Sequence, residues 1–336
     1  MSNIRYPFQI SRRDMLAKSL AALTMPALGL AVGTTDAHAE DGAYSVSHAF
    51  GQTVIPSKPK KIVTLGWSGE DVVLALGQTP VAMTRYGSFP SGIFPWVEEK
   101  LTSAAPILMS GEFDYERIAA LKPDVILGIY SGIDEKTFRR LSLIAPTVVY
   151  RSAPWSADWR EQTTVIGEAL GKSDEAQALI RATDENLRTF GGAHPELRGK
   201  SFTFGTYFAG GSGIVVYLPK DPRVAALTEL GMRPSEGVLA WSTKAPDETS
   251  VSVSLEEISS IDADVLIMWY AEGARAVAEE QTLFKTLKAV QRGSYVALDD
   301  PIDVWSTSAL SVLSIPYGFP RFVPRLAEAA ARANGQ

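Results

Sequence analysis

The stretch Asp114–Tyr130, DYERIAALKPDVILGIY, returns 140 residues later as Ser254–Tyr270, SLEEISSIDADVLIMWY. Glu116 aligns with Glu256, Ile118 with Ile258, Asp124-Val125 with Asp264-Val265, and Tyr130 with Tyr270. Each copy reads as a short helix with an outward glutamate, a turn, and a β-branched run that predicts a buried parallel strand. Two further correspondences stand in the same order. Leu76-Gly77-x-x-Pro80 matches Leu230-Gly231-x-x-Pro234, and Phe138-Arg139-Arg140-Leu141 matches Phe284-Lys285-Thr286-Leu287. Three correspondences in one order predict two lobes of one α/β architecture.

The remaining segments fit that plan. Ile62–Leu65, Val81–Thr84 and Thr147–Tyr150 read as strands of the first lobe, Phe202–Phe204 and Tyr295–Leu298 as strands of the second, with helical segments between them. Ser68 is expected to cap a helix whose Glu70 and Asp71 suit the positive end of its dipole, and Gly77 to end it. Between the lobes, residues 157–190 are helical in pattern, with Ser173 expected to cap a helix that buries Ala176, Leu179, Ile180, Thr183 and Leu187. At about 25 Å, such a helix spans a small domain. The expected boundaries are a targeting segment over 1–39, a first lobe over 40–172, the helix over 173–192 and a second lobe over 193–336.

Residues 1–39 read as a twin-arginine signal peptide: Arg12-Arg13 precede an apolar run, Ser19–Val32, and Ala37-His38-Ala39 forms a small-x-small cleavage site. The expected product is exported and soluble. Its removal takes four basic and two acidic residues, moving the net charge from -6 to about -8. That charge excludes a basic nucleic-acid surface. The chain has no cysteine, which excludes disulfides, thiolate metal sites and thiol nucleophiles.

No nucleophile elbow, Walker loop or spaced G-x-G-x-x-G is present, and Gly210–Gly213 reads as a turn between strands. Beyond residue 39 only His48 and His194 remain, and both are expected on the surface or in loops, with no catalytic residue and no metal site. Aromatic and arginine residues at strand ends are the stronger signal, because ligands of open parallel sheets sit outside the carboxyl ends of the strands. Those positions are Trp67, Arg85, Tyr86, Tyr130, Arg151, Tyr207 with Phe208, Trp269 and Tyr270, joined by Trp241 and Trp305 on loops. Together they predict a large, flat or aromatic ligand held by stacking, with arginines bonding its anionic oxygens. Glu116 and Glu256, equivalent in the two lobes, are expected to meet a two-fold symmetric basic partner.

On these residues the chain resembles the class III substrate-binding proteins of ABC importers, in particular the ferric-siderophore and vitamin B12 binders. The resemblance is carried by Lys61–Leu65 with Trp67, Leu76-Gly77-x-x-Pro80-Val81, Phe94-Pro95-Trp96 and Glu116-Arg117-Ile118-x-x-Leu121-Lys122-Pro123-Asp124. It continues through Ile144–Thr147, Gly167-x-x-Leu170-Gly171 and Leu230-Gly231, covering nearly all of the chain after residue 39. It implies two Rossmann-like lobes with parallel-rich central sheets, joined by one long rigid interdomain helix, with the ligand between them and little hinge motion. It also implies that Glu116 and Glu256 dock onto arginines of an ABC permease dimer, which works with its ATPase subunits.

Trp67 with Pro95-Trp96 points to the iron-siderophore branch: a monomeric periplasmic protein without a resident cofactor, whose ferric ligand keeps its iron within the chelator. Haem or cobalamin in the same fold, and an exported α/β enzyme, are the alternatives. Two departures stand out. The lipid-anchoring cysteine of many relatives is missing, so the protein is expected to diffuse freely. Ser110–Phe113 also holds no arginine where some hydroxamate binders place one, which leaves Arg85 or Arg151 as the expected ligand-binding arginine.

Overall fold

Asp124 and Asp264, the paired aspartates of the repeated unit, have the same structural task. Asp124 Oδ2 accepts from the backbone N–H of Lys61 and of Lys60, both at 2.8 Å, and these donors, Lys61 first, hold its carboxyl below the usual range. Asp264 Oδ2 accepts from the backbone N–H and the hydroxyl of Ser201, both at 2.8 Å. In each lobe the aspartate before the unit's strand thus clamps the start of the lobe's first strand. This accounts for the appearance of the Asp-Val pair in both copies.

The computed structural model describes residues 42–101, 106–110 and 113–333; the expected signal segment lies outside the described residues. An antiparallel hairpin of β1 (Tyr44–His48) and β2 (Gly51–Ile55) comes first. His48 is part of it and is buried, its Nε2 2.9 Å from Thr53 Oγ1, so it is not the surface or loop residue that the sequence suggested. β3 (Ile62–Thr64), β4 (Ala82–Thr84), β5 (Ile107–Met109), β6 (Val125–Gly128) and β7 (Thr147–Val149) form a parallel sheet in the order β5-β4-β3-β6-β7.

The second sheet contains β8 (Ser201–Tyr207), β9 (Gly213–Tyr217), β10 (Arg233–Pro234), β11 (Ser250–Ser254), β12 (Val265–Trp269) and β13 (Tyr295–Leu298). Its order is β11-β9-β8-β12-β13, with β10 beside the start of β8. β12 runs parallel to β8 and β13, while β9 is antiparallel to both β8 and β11. In both lobes the chain lays strands to one side of the first strand, then reverses to the other. The reversals fall between β3 and β6 and between β8 and β12, and β6 and β12 are the strands of the repeated unit.

The helices of that unit differ. Tyr115–Ala120 is α-helical, whereas Leu255–Ile261 is a 3-10 helix; Ser259-Ser260 replaces Ala119-Ala120, and serine offers the backbone competing hydrogen bonds. Both bury their isoleucine, Ile118 or Ile258. Two expected caps are absent. Ser68 sits before the helix Gly69–Ala75 but is left-handed, at φ 60°, and makes no side-chain cap; Ser173 is the first residue of its helix rather than the cap.

The helix Ser173–Ala193 is 21 residues long, about 31 Å, and buries Ala176, Ile180, Thr183 and Leu187. The helix Trp159–Ala169 crosses it closely at Gly167, where a Cβ would stand 2.3 Å from that of Ala176. Arg160 ties three helices together. Its guanidinium donates to Asp184 on the long helix and, at 2.8 and 2.6 Å, to Glu229 at the end of the second-lobe helix Pro222–Glu229. The carboxyl-terminal helix Ser314–Arg332 packs Phe319 against Phe190 of the long helix. One apolar cluster holds Leu74, Met83, Tyr86, Phe94 and Trp96 together with Ala309, Trp305 and Tyr317, so the lobes share a core.

Gly66 is the tightest point of the first sheet. It follows β3 at φ +85°, and a Cβ there would lie 2.3 Å from the carbonyl oxygen of Tyr130, which accepts from Trp67 N–H at 2.9 Å. Gly66→Ala should therefore lower the unfolding free energy by more than about 2 kcal/mol. Urea denaturation checks this, and an unchanged midpoint would refute the close approach.

Candidate ligand-binding site

Strand reversals open a crevice between the carboxyl ends of the strands that flank them. In the first lobe β3 leads to Trp67 and β6 to Tyr130. Their ring centroids lie 5.9 Å apart, nearly perpendicular, and Trp155 packs against both, at 5.1 Å from Trp67 and 5.6 Å from Tyr130. Trp155 stands on Gly132, where a Cβ would come within 2.5 Å of its Nε1. It holds φ 58°, a left-handed conformation that is costly for a bulky residue. Trp305, from the second-lobe helix Pro301–Ser308, completes the group, 4.9 Å from Trp67 and 5.3 Å from Tyr86. Trp67, Trp155 and Trp305 are half-buried and Tyr130 is buried.

The second lobe turns one face of its sheet toward this group. Trp269 ends β12, donating its Nε1–H to Tyr217 Oη at 2.9 Å, and Phe208 meets its ring edge-on at 5.7 Å. The Arg223 guanidinium lies 3.7 Å from the centre of the Tyr217 ring and donates to both oxygens of Asp221, from Nε at 2.8 Å and Nη2 at 2.7 Å. Arg223 is 5% and Asp221 1% exposed. Burial opposes the charge on Arg223, but the adjoining Asp221 carboxylate outweighs it and keeps the guanidinium protonated. The field of this pair reaches Tyr130 across the seam, where burial raises the phenol pKa above its ordinary value.

Behind Trp305 lie two buried acids from the first turn of the helix Gly69–Ala75. Glu70 Oε1 accepts from Tyr86 Oη–H at 2.6 Å. Asp71 Oδ2 accepts from Trp96 Nε1–H at 2.8 Å and from the hydroxyl of Ser311 in the second lobe. Glu70 is 1% and Asp71 0% exposed, and each keeps one oxygen without a hydrogen-bond partner. Burial pushes Glu70 up to about 7, and burial and then the Glu70 charge push Asp71 well above the usual carboxylate range.

The structure divides the expected ligand residues. It brings together Trp67, Tyr86, Tyr130 and Trp305, with Trp269 and Phe208 on the facing lobe. Tyr207 and Tyr270 lie in the second lobe's own core, away from Trp269, because successive strand residues alternate in face; Tyr270 Oη is 2.6 Å from Tyr295 Oη. Trp241 sits on the helix Glu236–Lys244, its indole beside Ser260 and under Lys244. Arg151 bonds the carbonyl of Ser47 and the carboxylate of Glu168, and Arg85 folds over Gly92 toward the carbonyl of Ser91. None of these five placements matches the expected cleft.

Arg223, Tyr217 and Trp155 were not among the candidates. Arg223 follows Asp221-Pro222, a helix start after an antiparallel strand rather than the end of a parallel one. Two shallow surface depressions, one at Glu135–Arg140 and one between Gln52 and Thr147 with Phe138 in its wall, contain none of these residues. Glu116 and Glu256 are both exposed, each the second residue of its short helix, and neither has an ion pair among the described residues. No helix among the described residues is long and apolar enough to cross a membrane.

Two α/β lobes that meet across an aromatic seam at the strand reversal of the first define a two-lobed ligand receptor. The periplasmic binding protein family profile matches residues 62–301, and the chain belongs to that family, whose members bind substrates for transport. It is 30% identical over 275 residues to a probable siderophore-binding lipoprotein of Bacillus subtilis, YfiY, covering 79% of this chain and 82% of that protein. It is 27% identical over 282 residues to the Fe(3+)-citrate-binding protein YfmC of the same organism, covering 80% and 84%. Among solved structures it resembles Streptococcus pneumoniae PiaA in complex with ferrichrome. The TM-score is 0.77 at 31% identity, over 86% of this chain and 99% of that one.

The acid pair makes the seam sensitive to pH. Glu70 binds its proton more tightly in the folded protein than in the unfolded chain, whose ordinary value is 4.5. Its stabilising contribution is complete below that value and is lost as pH rises through about 7. Asp71 acts in the same direction. Stability should fall from about pH 5 to about pH 8, and Glu70→Gln, which still accepts from Tyr86, should remove on the order of 1–3 kcal/mol of that fall. Urea midpoints across this range check it; an equal slope in the variant would refute the assignment.

Proposed function

We propose that this protein captures a ferric siderophore in the periplasm and delivers it to an inner-membrane ABC permease working with its ATPase subunits. The observation that carries the reading is the two-sided aromatic seam at the strand reversals. Trp67, Trp155, Trp305 and Phe208 are half-buried rings that offer a face to a bulky ligand, while Tyr130, Tyr217 and Trp269 hold them from behind. The similarity to a ferrichrome-bound receptor supports it. In this reading the iron keeps the chelator's oxygens as its ligands, and the walls recognise the outside of the chelate. The protein acts as a monomeric carrier rather than an enzyme. Export by the twin-arginine route, through residues 1–39, belongs to the same proposal.

Delivery rests on Glu116 and Glu256. The helix bearing Glu116 starts where β5 ends, at the same edge of the parallel sheet as Trp67 and Tyr130, and Glu256 begins the equivalent segment beside the turn after β8. Exposed carboxylates at matching positions suit a two-fold permease that presents basic residues.

Two measurements test the proposal. Four of the seven tryptophans lie at the seam, so a ferric chelate should quench the intrinsic fluorescence saturably. A range of ferric chelates without any saturable change would end the siderophore reading. Replacing both docking residues, Glu116→Lys with Glu256→Lys, should abolish uptake in cells while ligand affinity changes by less than about twofold. A loss of affinity would instead place these glutamates in the site or the fold.

A further inference from the structure

The ring that the second lobe sends into the seam, Trp305, has a seat in the first lobe, and two acids hold that seat from behind. Phe94 is stacked between Tyr86 and Trp96, with centroid distances of 3.6 and 4.6 Å and both pairs inclined by 23°. Each outer ring donates to one acid, Tyr86 Oη–H to Glu70 Oε1 and Trp96 Nε1–H to Asp71 Oδ2. Trp305 rests on the stack, 5.3 Å from Tyr86 and 5.4 Å from Phe94. The donors also fix where a proton on either acid sits. Tyr86 Oη accepts from Ser68 N–H, and Ser311 Oγ from the N–H groups of Leu313 and Ser314, so each hydroxyl turns its own proton to an acid. Glu70 Oε1 and Asp71 Oδ2 are thereby acceptors. A proton belongs on Glu70 Oε2 or Asp71 Oδ1, the two oxygens that are buried without a partner.

Among the described residues no cation faces the pair. Arg85, beside Tyr86 in the chain, is exposed and folds over Gly92. Lys172 bonds the carbonyl of Leu76, past the other end of the acids' helix. On the helix Trp159–Ala169, Arg160 goes to Asp184 and Glu229, while Glu161 and Glu168 go to Arg151. Asp303, on the helix of Trp305, is held by Arg321 and Arg325; Glu98 is exposed, and Tyr317 packs on Trp96. An acid that loses its proton here leaves an ionised oxygen that only water can supply with donors, and water reaching it through the seam parts Trp305 from its seat. A ligand lying against Trp305 keeps the rings together. We propose that Glu70 and Asp71 are positioning residues that hold the seat of Trp305, and that ligand capture in the seam takes up a solvent proton at this pair. The proposal rests on the ferric-chelate reading above and deepens it: uptake becomes sensitive to the pH around the protein.

The test follows tryptophan fluorescence of the full chain from pH 5.5 to pH 8.5, alone and titrated with ferrichrome, a chelate whose charge does not change in this range. The Kd should rise about tenfold as pH passes through about 7, and by less than about twofold in Glu70→Gln. Without ligand, the emission of Trp305, taken as the difference from Trp305→Phe, should shift to the red over the same range. Tyr86→Phe removes the donor to Glu70 and should move that midpoint to higher pH. A Kd constant within about twofold across the range in the unaltered chain overturns the proton coupling. A Trp305 signal that does not titrate, or a midpoint unmoved in Tyr86→Phe, overturns the positioning role whether or not ferrichrome binds. No saturable ferrichrome binding at any pH counts against the ferric-chelate reading instead, and the ligand-free signal then decides the positioning role by itself.

Discussion

The relation between the lobes depends on one buried carboxylate. Asp71 stands in the first turn of a first-lobe helix, yet two of its hydrogen bonds come from outside that helix: one from Trp96, the other from Ser311 across the seam. Ser311 is itself built into the turn before the carboxyl-terminal helix, accepting from the backbone N–H of Leu313 and Ser314 and donating its own to Ser314 Oγ. Trp96 and Ser311 both donate to Oδ2, while Oδ1 stays bare, so losing either one would leave more of a buried carboxyl unsatisfied. Movement of the lobes by even an ångström or two would break this set. Together with the Arg160 strut and the shared aromatic cluster, it makes the seam a stiff joint.

That stiffness bears on binding. A receptor whose lobes share a core cannot close far around its ligand, so recognition depends on walls that are already in place. The structure provides such walls. Trp155 is held in a left-handed conformation over Gly132, Trp67 is bound through its backbone to Tyr130, and Trp269 is fixed by Tyr217. Each ring loses little freedom on binding because packing has already removed it.

Much of the architecture was legible in the sequence because it repeats. The paired aspartates, the buried isoleucines and the strands after them obey local rules, and those rules apply equally in both copies. The 140-residue offset correctly places β6 and β12 as equivalent strands beside the first strand of each lobe. The tyrosines that end the two copies show where local rules stop. Tyr130 and Tyr270 are equivalent in sequence, but β12 runs one residue further than β6, and each position along a strand changes the face. Tyr130 therefore meets Trp67, while Tyr270 turns into the second lobe's core and Trp269 takes the seam.

The charged site residues that escaped the sequence reading share one property: their role is fixed by what encloses them. Arg223 draws its meaning from Asp221 two residues away, from Tyr217 at the end of β9 and from Tyr130, far off in the chain. Glu70 and Asp71 looked like ordinary dipole-stabilising acids of a first helical turn until Tyr86, Trp96 and Ser311 enclosed them. The two sets are complementary. Burial without a cation at hand raises the pKa of both acids, Glu70's to about 7, and Arg223 keeps its charge because burial comes with a carboxylate at hand. The Arg223–Asp221 pair on one side of the aromatic layer is thus locally neutral, whereas Glu70 on the other side gains negative charge as pH rises through about 7.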